Sequence, residues 1–155
     1  FKSYTIPQPN FSARKLDLSV ETDMNLIKDC IEQRGILTRL FGAVNYGSVT
    51  HWHLINIFPD NVFYLEDEDV ICICKEEQNH LHMWDIICKK TVEIDIILPK
   101  FFKNKYLDDV IYYFPADKLH FNYDQVVEDK DSHLFVRGNF EMEGREFKFP
   151  VTAQT

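Results

Sequence analysis

The sequence predicts one α+β domain in which a mixed, mostly antiparallel sheet carries helices packed on both faces. Three observations lead to this fold class. Residues 21–34 repeat apolar side chains at helical spacing, residues 62–88 form three strand-like runs joined by short links, and both patterns recur further along the chain. With 155 residues, 45% of them hydrophobic, the chain is long enough to bury one sizeable core.

The chain opens with a polar segment that does not resemble a core element. Residues 1–12 contain Pro7 and Pro9, and prolines at this spacing favour extended backbone. We therefore expect residues 1–12 to be a linker or arm and residues 13–155 to be a single domain. Because the first residue is Phe1 rather than Met, we also expect a fragment or a processed product of a longer protein.

A strand and a helix are predicted next. Residues 14–18 alternate and predict a short strand. Residues 21–34 predict a helix that Thr22 or Asp23 can cap and that Gly35 should end. The apolar stripe of this helix comprises Met24, Ile27, Cys30 and Ile31.

The following segment leaves two alternatives open. Residues 36–48 fit no single element, because Gly42 and Gly47 interrupt any long pattern. Residues 50–58 fit either a capped helix or a strand, and Pro59 ends the element in both cases.

The clearest pattern is an antiparallel meander over residues 62–88. Its predicted strands are Val62–Glu66, Val70–Lys75 and His80–Cys88. We expect a turn at Glu76–Asn79 between the last two strands. Residues 71–74 are apolar at every position, which predicts a central strand covered on both faces.

Further elements follow the meander. A helix is predicted over Thr91–Phe102, with Thr91 as its N-cap and Pro99 as an interior flaw that could kink or end it. The remaining predicted elements are a strand at Asp109–Phe114, a short helical turn within Ala116–Val127, and closing strands at His133–Arg137 and Phe147–Val151.

Charge and composition exclude several classes of partner. The formal net charge is −8, whereas a groove for nucleic acid or an anionic membrane needs a basic surface. An acidic surface instead tolerates cationic substrates such as amines. The sequence contains no signal peptide pattern and no apolar run long enough to span a bilayer, so we expect a cytoplasmic protein.

The four cysteines do not form a disulfide framework or a recognisable nucleophile motif. Their positions are Cys30, Cys72, Cys74 and Cys88. Two of them lie two apart on a predicted strand, where they cannot easily bridge, and none lies in a glycine-rich turn. We expect four reduced and mostly buried thiols.

Two histidine pairs near the cysteines raise the question of zinc. His51 and His53 form one pair, and His80 and His82 form the other. With the turn at 76–79, Lys75 should pair with His80 and Cys72 with Met83. The thiols would then share a sheet face with Leu81 and Met83, and the imidazoles of the second pair would lie on the other face. Zinc needs three or four converging ligands, so we predict no metal site.

Asp85 is the carboxylate that we single out as a weak catalytic candidate. It lies within the apolar run MWDIIC, where a carboxylate is costly to bury unless it is paired. Strand alternation places it on the same face as Leu81 and Met83. A structural ion pair is the alternative role.

A weak candidate anion site precedes the predicted helix at Thr91. Helix starts offer free amides and a positive dipole end, and Lys89 and Lys90 would add charge. We therefore name Lys89, Lys90 and Thr91 as weak cofactor-binding candidates, with a solvated basic pair as the alternative. The usual glycine-rich phosphate motifs are absent from the sequence.

The order of elements over residues 14–151 resembles that of the GNAT acetyltransferases. That family has a strand, helices, a three-strand meander, a long helix, a strand, a further helix and two last strands. The text NVFYLEDEDVICICKEEQNHLHMWDIIC looks like its second to fourth strands, DVIYYF like its fifth, and HLFVRG and FKFPV like its sixth and seventh. The chain looks most like the degenerate C-terminal GNAT-like domain of two-domain members.

The resemblance implies acetyl-CoA as cofactor, an amine-bearing acceptor, and a catalytic GNAT domain N-terminal to this segment as partner. The family holds the cofactor pyrophosphate on a glycine-bearing loop after its fourth strand. Here that place reads Cys88–Glu93 and contains no glycine. Side chains there would obstruct close backbone approach. We therefore predict that this domain alone does not bind acetyl-CoA tightly.

Three hypotheses follow from the sequence. The first is a GNAT-like domain of an acetyl-CoA-dependent N-acetyltransferase that forms its non-catalytic or acceptor-shaping half. The alternative is a non-enzymatic binding or interaction module with a GNAT-like fold. A thiol or metal enzyme ranks last, because no local motif supports it.

Overall fold

The structure is a computed structural model that describes residues 4–5, 10–39, 42–101, 106–115, 117–119 and 150–154. Its helices are α1 (Glu21–Glu32), α2 (Gly47–Asn56) and α3 (Ile94–Ile97). Its strands are β1 (Tyr4–Thr5), β2 (Arg14–Lys15), β3 (Val62–Leu65), β4 (Val70–Glu77), β5 (His80–Cys88), β6 (Tyr106–Leu107) and β7 (Asp109–Tyr112). Single 3-10 turns cover Leu98–Phe101, Asp117–Leu119 and Val151–Ala153.

Five of these strands form one mixed sheet in the order β2-β3-β4-β5-β7. Within the described residues, every neighbouring pair is antiparallel except β5 and β7, which run parallel. The arm predicted at residues 1–12 contributes β1, which pairs with β6 outside this sheet. The predicted α+β class with a mostly antiparallel sheet is confirmed.

Helices cover both faces of the sheet, and each face has its own buried cluster. On the α3 face, the strands bury Cys72, Cys74, Leu81, Met83 and Ile86 against Ile94 and Ile97. On the α1/α2 face, they bury Val62, Ile71, Ile73 and Ile87 against Ile27 of α1 and Leu54 of α2. Burial of such a side chain stabilises the fold by about 1.5–3 kcal/mol, so both clusters contribute substantially.

Helix α1 buries the predicted stripe but starts without the predicted cap. Ile27, Cys30 and Ile31 are buried, as the helical spacing requires. The N-cap position belongs to Val20, whose side chain makes no capping hydrogen bond, so the predicted cap at Thr22 or Asp23 is wrong. The Asp23 carboxylate instead accepts hydrogen bonds from the side chain and backbone of the preceding strand-and-turn segment.

The segment that the sequence left undecided is a helix. Helix α2 begins at Gly47 and ends at Asn56, three residues before Pro59. It carries no Asp, Glu, Lys or Arg. It buries Thr50, His53 and Leu54 on its inner side, which a strand with alternating orientation could not do.

The hairpin between β4 and β5 is tighter than predicted. Strand β4 continues to Glu77, and the turn contains just Gln78 and Asn79, with φ angles of 50° and 64°. Two-residue hairpin turns favour positive φ at both positions, because that twist matches the flanking strands. Lys75 therefore pairs with His82 rather than with His80, so the predicted register is wrong by two residues. An even shift preserves the faces, and Leu81 and Met83 do share a cluster with the thiols.

A β-bulge at Trp84 changes the phase of β5. Cys74 pairs with Met83, whereas the preceding Ile73 pairs with Asp85, so Trp84 is an extra residue. Trp84 packs against the cluster of the α1/α2 face, and Asp85 also lies on that face opposite Ile73. The prediction that Asp85 shares a face with Leu81 and Met83 is therefore wrong, because the bulge inserts one residue into the alternation.

The helix predicted over residues 91–102 is much shorter in the structure. Helix α3 spans Ile94–Ile97 and passes into a 3-10 turn that contains Pro99. Proline has no backbone N–H and obstructs the preceding turn, so it ends the α-helix here. The N-cap is Glu93, and the predicted cap at Thr91 is wrong.

The remaining predicted elements are partly described. The strand at 109–114 is confirmed as Asp109–Tyr112, and the helical turn within 116–127 is seen at Asp117–Leu119. The strand predicted at 133–137 lies outside the described residues, as does most of 147–151, whose last residue Val151 begins a 3-10 turn. No helix in the described part of the chain combines the length and the apolar character needed to cross a bilayer.

Candidate functional site

A cleft of about 870 Å³ opens at one end of the sheet, beside the bulge in β5. The described pairing of β5 with β7 ends at Met83 and Tyr112, close to this point. The walls come from the end of α1, the loop to α2, the first turn of α2, the residues after β7, and Pro150. Its volume lies within the range of small-molecule sites.

The fully buried carboxylate of Asp85 lies at the floor of the cleft. Its Oδ1 accepts hydrogen bonds from Arg34 Nη2 at 2.9 Å and from the Ile86 backbone N–H at 2.8 Å. Its Oδ2 accepts from Arg34 Nη1 at 3.1 Å and from the Thr152 hydroxyl. Four hydrogen bonds occupy the lone pairs of the carboxylate. The arrangement is that of a structural clamp rather than of a general base.

Arg34 is the cation of this clamp and also a wall of the cleft. Its side chain is 12% exposed, and its guanidinium carbon lies 4.7 Å from the centroid of the Tyr46 ring. Burial alone would lower the pKa of Arg34, but the Asp85 carboxylate more than compensates and the pKa is raised. The Arg34 Nε–H has no hydrogen-bond partner among the described residues.

Two further polar groups line the cleft. Burial, and then the nearby Asp85 carboxylate, raise the pKa of the Tyr46 phenol, so this hydroxyl keeps its proton and can donate. Within the described part of the chain this hydroxyl has no hydrogen-bond partner, and the Tyr46 side chain lines the cleft. His51 Nδ1 lies 2.9 Å from the Gly47 carbonyl oxygen, which can accept but not donate. His51 Nδ1 is therefore the donor in this contact.

The segment 150–154 closes the clamp from the far end of the described chain. The Thr152 hydroxyl donates to Asp85, and the Thr152 carbonyl accepts from the Thr50 hydroxyl at 3.3 Å. The Gln154 carbonyl accepts from His53 Nε2 at 2.7 Å. Thr50, Thr152 and His53 are all buried, so this segment is fixed on α2 and β5 by specific polar contacts.

The residues of the predicted anion site lie between β5 and α3, and Lys89 already has acidic partners. Lys89 Nζ lies 2.8 Å from Asp29 Oδ2 and 3.2 Å from Asp69 Oδ2, so two carboxylates already balance its charge. Lys90 and Thr91 are exposed and precede α3. That helix begins at Ile94, three residues after Thr91, and has a single turn.

The thiols are buried and resist ionisation. Burial raises the pKa of Cys30 and of Cys88 to about 11, and it also raises the pKa of Cys72 and Cys74. Nucleophilic cysteines need the opposite shift, because the thiolate is the reactive form. All four are free cysteines, as the sequence predicts.

The histidine pairs are engaged in local contacts. His80 Nδ1 lies 2.6 Å from Asp109 Oδ1, and His82 Nδ1 lies 2.9 Å from the Tyr113 hydroxyl oxygen. His51 and His53 belong to α2 and contact Gly47 and Gln154. In the described ranges, no group of three His, Cys, Asp or Glu side chains is placed to hold a metal ion.

Sequence reasoning identified one member of the clamp and missed the others. The isolated carboxylate within MWDIIC indicated a buried partner, but Arg34 and Thr152 are separated from Asp85 by 51 and 67 residues. Tyr46 lies in the segment that fitted no element. A search for an unpaired cation at the end of a predicted helix could have suggested Arg34, which follows Glu32 by two positions.

Comparison with family models, with curated proteins and with solved structures finds no match for this chain.

Proposed function

We propose that this chain is a GNAT-like domain of an acetyl-CoA-dependent N-acetyltransferase and forms its non-catalytic, acceptor-shaping half. The observation that carries the proposal is the contrast between two neighbouring places at the end of β5. One is an open cleft with a rigid polar floor. The other is the turn at 88–93, which has no glycine and whose Lys89 is already paired with two carboxylates.

The order of elements supports the family assignment. A strand, two helices, a three-strand meander, a helix and a strand parallel to the last meander strand follow one another in the resembled order. The helix after the meander differs from its counterpart in the family. Helix α3 has four residues and continues as a 3-10 turn, where the family has a long helix. This departure is itself consistent with a degenerate cofactor site.

The turn at 88–93 supports a non-catalytic role. A pyrophosphate needs several backbone amides and positive charge, and exposed lysines at a helix start contribute about 1–2 kcal/mol. Micromolar affinity requires about 8 kcal/mol.

Four free cysteines suit a reducing compartment, so we propose that the protein is cytoplasmic.

Isothermal titration of the isolated chain with acetyl-CoA tests the proposal. We expect binding no tighter than about millimolar. A one-to-one isotherm in the low micromolar range would show that the turn at 88–93 holds the cofactor. The domain would then be the acetyltransferase itself rather than its acceptor-shaping half.

One observation favours the alternative of an interaction module. Trp52, Ile55 and Ile57 are about half exposed, on or next to a helix without charged side chains. Outer faces of surface helices are usually charged. Sedimentation velocity over a wide concentration range distinguishes the alternatives, because self-association abolished by Ile55→Asp would place the function on α2 rather than in the cleft.

A further inference from the structure

The floor of the cleft presents hydrogen-bond donors without presenting net charge. The Arg34 Nε–H and the Tyr46 hydroxyl have no hydrogen-bond partner among the described residues, and both side chains line the cleft. The guanidinium carbon of Arg34 lies over the Tyr46 ring, 4.7 Å from its centroid, so the two donors belong to one stacked pair. The Arg34 charge is balanced end-on by the buried Asp85 carboxylate. Such a floor suits a neutral acceptor such as a carbonyl oxygen.

The cleft also offers neutral acceptors, and His51 is one that lies on the first turns of α2. In the tautomer that donates from Nδ1 to the Gly47 carbonyl, His51 Nε2 is an acceptor. His51 lines the same cleft as Arg34 and Tyr46. A ligand group that accepts at one atom and donates at the next would satisfy both kinds of partner, and an amide has this pattern.

Charged groups fit the cleft less well. A ligand carboxylate at Arg34 would lie close to Asp85, and like charges at short distance repel. A ligand ammonium needs a carboxylate with free lone pairs, but those of Asp85 are occupied. The other lining carboxylate, Glu32, is mostly exposed at the rim, 3.9 Å from Lys28.

The walls of the cleft are largely aliphatic or ring-bearing. They include Ile31, Leu37, Val44, Phe114 and Pro150. An apolar wall favours an apolar ligand body, and burial of about 0.8 kcal/mol per methylene adds affinity without adding polar contacts. The site therefore combines an apolar body pocket with a polar, uncharged floor.

We propose that this cleft binds an uncharged amide with an aliphatic body, whose carbonyl accepts from Arg34 Nε–H and Tyr46 O–H and whose N–H donates to His51 Nε2. The inference rests on the proposed function in that it makes the cleft the acceptor pocket. It adds the chemical class of the acetyl-accepting substrate. That substrate carries an amide group, and the amide rather than the amine is held at the floor of the cleft.

Nuclear magnetic resonance titration of the full chain tests the chemistry with three probes of one skeleton. Isocaproamide, isocaproate and isohexylamine differ in the head group, which is neutral, anionic or cationic. We expect isocaproamide to bind at about millimolar affinity, a level appropriate to a ligand of this size, and to shift the amide signals of Gly35 and Gly47 and the Arg34 Nε–H signal. The two charged probes should bind at least about tenfold more weakly.

A matched pair of variants locates the binding. Val44→Asp places a carboxylate on the cleft wall at a side chain that is 64% exposed, so the variant should fold. Ile96→Asp makes the same change on α3, at a side chain that is 46% exposed. We expect Val44→Asp to weaken isocaproamide binding at least about tenfold and Ile96→Asp to leave it unchanged.

The outcomes separate this inference from the function proposed above. Tighter binding of isohexylamine or isocaproate at the same signals would overturn the amide assignment and leave the cleft as an acceptor pocket. If none of the probes moves the cleft signals, both the amide assignment and the acceptor pocket are wrong. Equal losses in the two variants would likewise place the binding outside the cleft.

Discussion

The two faces of the sheet are held by different chemistry. The α3 face buries thiols and aliphatic side chains, such as Cys72, Leu81 and Met83. The α1/α2 face buries a comparable set of isoleucines but adds Asp85 and its partners, with Thr152 and Thr50 completely buried. The cleft opens at the clamp, and its wall also includes Leu37 and Phe114 of the first cluster.

The two faces should therefore respond differently to substitution. An apolar core tolerates exchanges that conserve volume, because its contacts are not directional. A buried polar network requires every member, since one missing partner leaves a desolvated group unpaired. We therefore expect the α3 face to tolerate substitutions that conserve volume, and the clamp to tolerate the loss of no single member.

The largest effect should come from removing the anion of the clamp. The Arg34 side chain is 12% exposed, and Asp85→Ala leaves its guanidinium without a counter-charge. Loss of one partner of a buried pair costs about 3–5 kcal/mol. Urea denaturation of the variant should show this loss.

The control for that prediction is Asp60→Ala. Asp60 pairs with Lys15 at 2.8 Å, but both side chains are largely exposed, so the change should cost less than about 1 kcal/mol. Similar losses in the two variants would contradict the role that we assign to the clamp.

Alkaline pH should destabilise the domain through the thiols, three of which lie on the α3 face. Burial raises the pKa of Cys88 and of Cys30 from 9.0 to about 11. Unfolded thiols lose their protons first, so the free energy of unfolding falls as the pH rises from 9 towards 11. We expect a loss on the order of 2 kcal/mol for each of these two thiols by pH 11, measured by urea denaturation at a series of pH values.

Replacement of one buried thiol sharpens this test. Cys88→Val should make the alkaline decline shallower, because one titrating group has been removed. A decline of unchanged steepness would assign the effect to other groups, such as Tyr64, whose pKa burial raises to about 12.

A smaller effect is expected when both members of the ion pair are made apolar. The double variant Arg34→Met, Asp85→Leu removes both charges and conserves much of the volume. Such replacements are often neutral or stabilising. Here the buried Thr152 hydroxyl loses its acceptor, so we expect a loss of about 1–3 kcal/mol, smaller than that of Asp85→Ala. The same variant should lose isocaproamide binding at the cleft, which would separate the role of the clamp in specificity from its role in stability.

The smallest effect concerns the helix start that the sequence mispredicted. Thr91 is exposed and does not cap α3, whose N-cap is Glu93. Thr91→Ala should therefore change the free energy of unfolding by less than about 0.5 kcal/mol. A loss near 1 kcal/mol, typical of a removed cap, would indicate that the helix begins earlier.

The sequence predicts those parts of the fold that depend on local pattern. The three meander strands, the stripe of α1 and the reduced thiols follow from alternation, helical spacing and the general burial of cysteine. The order of elements also gave the correct fold class.

The incorrect predictions have a common physical cause. The features concerned depend on contacts between residues distant in sequence or on single backbone angles. The bulge at Trp84 leaves no compositional signal, yet it moves Asp85 to the other face. Gln78 and Asn79 adopt positive φ without being glycine, so the composition does not show that the turn has two residues rather than four. The clamp joins residues from three distant segments, and single-sequence periodicity carries no information about such convergence.

The sequence separation within the clamp also bears on the order of folding. Thr152 reaches Asp85 across 67 residues and Thr50 across 102, whereas the β4–β5 hairpin closes through a two-residue turn. Contacts between distant residues require a larger loss of chain entropy before they form, so they tend to form after local ones. We expect the meander to belong to the folding nucleus and the segment 150–154 to dock late. Changes at Thr152 should then accelerate unfolding while leaving the folding rate nearly unchanged.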